Sequence, residues 1–122
     1  MASLDFAVPG SPPEMLRTPN KFVPIAAVAV NPEAAIWTPA AGKKFRFMGI
    51  YFAEGVLTGG ILLKDGVGGT TIFRLPAIAV NTPTLLVIPG NGILSAAANN
   101  ALTATGGGAG ETLDGTIFGT EE

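Results

Sequence analysis

Short apolar segments rich in Val, Ile, Phe and Thr alternate with turns rich in Gly, Pro, Asn and Asp along most of the chain. β-Branched and aromatic residues bounded by turn-forming residues are typical of β-strands. The pattern predicts eight strands, at residues 23–30, 34–38, 45–52, 60–64, 70–75, 84–88, 101–105 and 113–118. Residues 93–100 contain a run of Ala that is too short for a stable helix and predicts a loop or a single turn. Eight short antiparallel strands favour an all-β fold, either a two-sheet β-sandwich or a jelly roll.

The alternation of apolar and polar positions distinguishes two of these strands. In the strand at 113–118, Leu113 and Ile117 share one face while Asp114 lies on the other, which is typical of a half-buried strand. The strand at 45–52 carries large apolar side chains on both faces. We therefore expect a central strand whose second face is covered by another sheet, a subunit or the N-terminal segment. A crowded monomeric core is the alternative.

Residues 1–21 contain four prolines and are predicted to form an extended arm before a β-sandwich domain at 22–122. Proline fixes φ and lacks a backbone donor, which disfavours both a helix and a central strand. The arm has more apolar residues than a solvated tail usually carries, which indicates docking onto another surface; a disordered leader is the alternative. Its opening lacks the pattern of a secretory signal. The apolar stretch at 22–30 is too short to span a bilayer, so no membrane anchor is expected.

Composition narrows the expected function. Only 13% of the residues are charged and 48% are hydrophobic, so an unusual share of the surface must be uncharged or covered, as in an oligomer or a larger assembly. A net charge of −2 with seven Lys and Arg provides no basic stripe for nucleic acid. The sequence contains no His and no Cys, which removes the commonest general base, thiolate nucleophiles and many metal ligands. We therefore expect no enzymatic activity, no cofactor and no bound metal.

Few residues are candidates for chemistry. Four carboxylates are candidates for a hydrolase that works by paired acids: Glu54, Asp65, Glu111 and Asp114. Sequence supplies no pairing geometry for them, and loop or solvated positions are commoner for such residues. Trp37 and Tyr51 are candidates to line a glycan or ligand surface, although core or interface packing is the commoner role of such rings. The glycine-rich segments at 66–69 and 106–110 lack the spacing of phosphate-binding motifs and predict flexible turns.

The middle of the chain carries a resemblance to a known family. Residues 36–50 read IWTPAAGKKFRFMGI, with the pattern Trp-x-Pro-x-x-Gly-Lys-x-Phe-Arg. Four further segments accompany it: DG at 65–66, LVIPGNGI at 86–93, NAL at 100–102 and GTIFG at 115–119. Together these segments resemble small head proteins of tailed bacteriophages, over residues 36–119.

The resemblance implies a β-sandwich or jelly-roll cement protein that sits as a homotrimer on the outside of the capsid and clamps neighbouring subunits of the major capsid protein. Such a protein is made in the host cytoplasm and is located on the virion surface. The predicted capsid or subunit contacts are Leu4, Phe6, Val8 and Leu16 of the arm, together with Trp37. Two alternatives stay open: a tail or fibre component whose sandwich binds a host glycan, and a small hydrolase that works with carboxylates alone.

Overall fold

The computed structural model describes residues 18–56 and 59–122, and this part of the chain forms nine strands in two antiparallel sheets. The strands are β1 (Lys21–Ala29), β2 (Ala34–Trp37), β3 (Phe45–Glu54), β4 (Ile61–Asp65), β5 (Thr70–Leu75), β6 (Thr84–Val87), β7 (Ile93–Leu94), β8 (Leu102–Thr105) and β9 (Thr112–Glu121). All eight predicted strands are confirmed in position. The additional strand, β7, occupies the start of the segment for which a loop or turn is predicted, because its two residues pair with β3.

The two sheets pair strands that are far apart in sequence. The five-stranded sheet has the order β1-β9-β3-β6, with β7 also paired to β3, and the four-stranded sheet has the order β2-β8-β4-β5. Apart from β7, the first strand pairs with the last, the second with the second-to-last, and the inner strands follow the same nesting. This pairing is that of a jelly roll, in which one long hairpin is wound over two sheets. The prediction of an all-β sandwich is confirmed.

The hydrophobic core lies between the two sheets. Phe47 and Ile50 of β3 and Ile117 of β9 are fully buried, and Ile61 and Leu63 of β4 meet them from the four-stranded sheet. β9 and β3 are the two inner strands of their sheet, since β9 pairs with β1 and β3, and β3 pairs with β9 and β6. The pairing of Phe45 and Arg46 with Glu121 and Thr120 extends β9 to Glu121, beyond the end expected from the sequence.

Trp37 belongs to this core. The residue ends β2, is only 2% exposed and packs against Phe45 with ring centroids 5.7 Å apart. Its Nε1 donates a hydrogen bond to Oε2 of Glu121 at 2.9 Å. Core packing, the commoner role for this ring, is therefore the one found in the structure. Its burial argues against a direct contact between the Trp37 ring and a capsid or a glycan.

The predicted arm meets the sheet at its last residue. β1 begins at Lys21, so this residue belongs to the strand rather than to the arm. The predicted contacts Leu4, Phe6, Val8 and Leu16 lie outside the described residues. Pro24, which interrupts the apolar run of β1, is accommodated because β1 lies at the edge of its sheet and, among the described strands, pairs with β9 alone.

Candidate functional site

The face of the five-stranded sheet that points away from the core carries two rows of aligned side chains. Paired residues of neighbouring strands project to the same side, so each row runs across β1, β9, β3 and β6. The first row is Phe22, Phe118, Gly49 and Val87, and the second is Pro24, Thr116, Tyr51 and Leu85. We call these residues the outer face. None of them carries a charge, whereas the adjacent pair of β3 and β9 places Asp114 opposite Ala53.

Four large side chains of the outer face are exposed to solvent. Phe22 and Val87 are each 62% exposed, Leu85 is 57% exposed and Tyr51 is 50% exposed. Tyr51 on β3 lies beside Leu85 and Val87 on the neighbouring strand β6, about 5 Å away, and Phe118 of β9 connects this group to Phe22 on β1, so the residues form a continuous surface. Isolated exposed apolar residues are ordinary on proteins, but a continuous apolar patch is typical of an interaction site.

A local irregularity of β3 shapes the middle of the outer face. A β-bulge lies between Phe47 and Gly49, and bulges re-aim the side chains beside them. Gly49 leaves room for the neighbouring ring of Phe118, because a Cβ at Gly49 would overlap the far edge of that ring and would lie 2.7 Å from the carbonyl oxygen of Leu86. Phe118 in turn packs against Phe22, with ring centroids 6.5 Å apart. The glycine therefore allows the aromatic pair to lie over the sheet.

A cavity of about 250 Å³ adjoins the first row of the outer face. It is lined by Pro19, Met48, Val87, Ile88, Pro89, Gly90 and Phe118. No lining residue has a charged or hydrogen-bonding side chain, so the cavity suits an apolar group. Pro19 precedes β1 by two residues, which places the entry of the chain into the sheet at the rim of this cavity.

Two of the four candidate carboxylates come together inside the protein. Glu54 ends β3 and Glu111 immediately precedes β9, and both are fully buried. Oε1 of Glu111 accepts a hydrogen bond from the backbone N–H of Gly107 at 2.7 Å, whereas neither carboxylate oxygen of Glu54 has a hydrogen-bond partner among the residues that the structure describes. Burial, and secondarily the charge of Glu111, raises the pKa of Glu54 to about 7. Because neither carboxylate has exposed surface, a substrate cannot reach this pair in the described conformation.

The other two carboxylates hold loops in place. Asp65 accepts hydrogen bonds from the backbone N–H of Ala96 at 2.7 Å and from Nδ2 of Asn100 at 3.0 Å. Asp114 accepts one from the backbone N–H of Ala27 at 3.0 Å, at the bulge of β1. These partners are local backbone and amide groups, which is how acidic residues commonly stabilise irregular backbone. The four candidates therefore do not converge on one site.

Most residues of the outer face could not be grouped on one surface from the sequence alone. The sequence does indicate that β3 is apolar on both sides, and Tyr51 is one of the residues responsible. Val87 and Leu85 are placed beside it only by the pairing of β6 with β3, and Phe22 only by the pairing of β1 with β9. Their common surface is thus a product of strand order.

No family model, curated protein or solved structure matches this chain. The fold and the outer face define the class of this protein, which is an all-β sandwich with an apolar sheet surface. Residues 18–56 and 59–122 include no helix long and apolar enough to cross a membrane. Within those same ranges, no three side chains of His, Cys, Asp or Glu are grouped in a way that could hold a metal ion.

Proposed function

We propose that this chain is a virion structural protein that binds the outside of a bacteriophage capsid as an oligomer and stabilises the shell. The observation that carries the proposal is the outer face, where Phe22, Tyr51, Leu85 and Val87 expose a continuous apolar surface. Burial of such a surface in an assembly is favourable, since each removed Å² of apolar area contributes roughly 25 cal/mol. The resemblance to phage head proteins supplies the kind of assembly.

The low charge of the chain supports the same proposal. In an ordinary soluble globular domain about a quarter of the residues are charged, whereas in this chain 13% are charged. A protein that binds only the assembled shell stabilises that shell by mass action. As the resemblance implies, the proposed assembly is a homotrimer whose partner is the major capsid protein, and the proposal includes no catalytic role.

The proposal keeps Leu4, Phe6, Val8 and Leu16 as predicted contacts of the arm. Leu4, Phe6 and Val8 alternate with Asp5 and Ala7, as expected of an extended segment that presents one side to a surface. Removal of residues 1–17, which leaves β1 intact, is expected to weaken capsid binding. Unchanged occupancy of shells by the shortened chain would exclude the arm from that contact.

The decisive experiment measures binding to undecorated capsids by co-sedimentation, with the solution mass of the free protein determined by light scattering. The wild-type chain should be a trimer that sediments with shells and raises their melting temperature. A variant carrying Tyr51→Glu and Leu85→Glu should bind roughly tenfold or more weakly, because it places two charges in the centre of the outer face. Its folding is verified by the emission of Trp37, which is buried in the core.

Val67→Glu is the matched control, since Val67 is 80% exposed in the turn between β4 and β5 of the other sheet. This variant should retain wild-type capsid binding. Equal loss of binding in the control and in the double variant would mean that added negative charge, rather than the outer face, is responsible. The proposal would be overturned if the wild-type protein does not co-sediment with shells.

A tail or fibre component that binds a glycan is the second candidate. The observation that favours it is Tyr51, a half-exposed aromatic ring in the middle of a sheet face, because such rings provide stacking surfaces for apolar sugar faces. Two results together would establish this role. The protein would bind a specific glycan on an array and lose that binding with Tyr51→Ala, and it would not bind capsids. Trp37 is unsuited to it, since its ring is buried.

A further inference from the structure

We infer that the cavity at the rim of the outer face holds the side chains of the chain's own Met15 and Leu16, which anchor the N-terminal segment at this rim and leave Tyr51 and Leu85 uncovered. The inference concerns contacts within one chain. It therefore holds or fails independently of whether the protein binds a capsid.

The position of the chain at the cavity is the first argument. Pro19 is part of the cavity wall, and the backbone N–H of Asn20 donates to the carbonyl oxygen of Gly119 at 2.9 Å. Leu16 precedes Pro19 by three residues, a distance of about 10 Å in an extended chain. The cavity spans from Pro19 beside β1 to Val87 on β6, which are three strand spacings, or roughly 14 Å, apart. Leu16 and Met15 therefore reach the cavity without any rearrangement of the sheet.

The chemistry of the cavity is the second argument. Its side chains are all apolar, and its volume of about 250 Å³ exceeds the roughly 150 Å³ that accommodates a benzene ring in a protein interior. Leu and Met are apolar side chains of matching size, and Met adapts readily to irregular spaces.

The composition of the segment is the third argument. Pro12 and Pro13 restrict the free chain to extended conformations, so less conformational entropy is lost when the segment docks. Proline-rich segments commonly dock on surfaces that contain aromatic rings, and the ring of Phe118 forms part of the cavity wall. This anchor assigns Leu16 to a contact within its own chain instead of a contact with the capsid, and it leaves Leu4, Phe6 and Val8 available for the capsid.

Site-specific cross-linking tests the inference directly, because the sequence has no native cysteine. The variant carries Leu16→Cys and Val87→Cys and is treated with a short bis-maleimide in the absence of capsids. The matched control carries Leu16→Cys and Val67→Cys, which places the second thiol at a more exposed position on the other sheet. Products are separated by denaturing electrophoresis and located by peptide mass spectrometry.

The expected result is a cross-link within one chain, at a yield several-fold above that of the control. A second sample mixes chains that carry only Leu16→Cys with chains that carry only Val87→Cys. Cross-linked dimers as the main product of that mixture would overturn the inference, because the occupant would then be the segment of a second copy. A yield equal to that of the control would also overturn it, because the cavity would not hold residue 16 at all.

Trypsin cleavage after Arg17 provides a second measurement that needs no cysteine. Docking of Met15 and Leu16 should protect this bond, so the combined substitution Met15→Ser and Leu16→Ser should accelerate cleavage several-fold. The control, Leu4→Ser with Phe6→Ser, changes apolar residues of the same segment that the inference leaves undocked, and its cleavage rate should stay at the wild-type value. Equal acceleration by both variants would contradict a specific anchor at residues 15 and 16.

Discussion

At the scale of single residues, the fully buried Glu54 makes stability depend on pH. Its pKa is raised from 4.5 to about 7, first by burial and then by the charge of Glu111. A group whose pKa is raised by folding contributes stability that is fully present below its unfolded pKa and is lost as the pH rises toward its folded pKa. The free energy of unfolding should therefore fall by roughly 2 kcal/mol between pH 5 and pH 8 through this group alone.

Glu54→Gln removes this dependence, because the amide has a similar shape and never ionises. The variant should melt roughly 5 to 10 °C above the wild type at pH 8, and the difference should shrink markedly at pH 5. Differential scanning calorimetry at both pH values checks this result. A variant that is equally destabilised at both would show that Glu54 is ionised and satisfied in the folded protein.

Glu33→Gln is the matched control, because folding shifts the pKa of Glu33 in the opposite direction from that of Glu54. The hydrogen bond from Oγ1 of Thr103, at 2.6 Å, and that from the backbone N–H of Gly68 lower the pKa of Glu33. Its contribution is present above its unfolded pKa and is lost as the pH falls through the folded value. This variant should therefore be less stable than the wild type by about 1 kcal/mol at neutral pH, with the difference disappearing in acid.

At the scale of secondary-structure elements, the contact between β3 and β9 depends on a missing side chain. Gly49 lies opposite Phe118, and an added Cβ would overlap both the ring and the backbone of β6. Gly49→Ala should therefore destabilise the protein by about 1 to 3 kcal/mol, measured by urea unfolding, because overpacking forces strain on its neighbours. It should also increase the exposure of Phe22 and Phe118 to hydrophobic dyes.

A double-mutant cycle assigns the cause of this effect. Phe118→Leu shortens the side chain that would meet the new methyl group. The losses in free energy of unfolding caused by Phe118→Leu and by Gly49→Ala should therefore be non-additive, and the double variant should be partly rescued. The rescue is incomplete because the carbonyl oxygen of Leu86 also lies close to the new atom. Strictly additive costs would mean that Phe118 is not the residue that requires a glycine on β3.

At the scale of the whole molecule, the nested strand pairing joins the two ends of the described chain. Lys21 pairs with Gly119 and Phe22 with Phe118, so β1 cannot join the sheet until β9 is present. Folds dominated by such distant pairings refold in milliseconds to seconds, since loop-closure entropy is lost before the contacts form. Stopped-flow refolding followed by the emission of Trp37 should therefore show its main phase in this range. Completion within microseconds would contradict the nested order.

Much of the element-level structure is readable from the sequence. The strands at 34–37, 70–75 and 84–87 were predictable because short apolar runs are bounded there by Pro, Gly and Asn. The ends of β3 and β9 were not, because a strand continues as long as its neighbours pair with it, and β9 has neighbours on both sides. The two-residue strand β7 exists only through its pairing with β3, which no local pattern reveals.

The sequence by itself determined the all-β class, the positions of eight strands and the apolar character of both sides of β3, because these depend on local propensity and alternation. Only the tertiary structure decided the strand order, and with it which apolar residues were buried and which were left outside. It placed Trp37 in the core and left Tyr51, Leu85 and Val87 on a common surface. It also brought Glu54 and Glu111 together inside the protein. The physical reason is that exposure and side-chain proximity depend on pairing between distant segments, whereas strand formation depends largely on neighbouring residues.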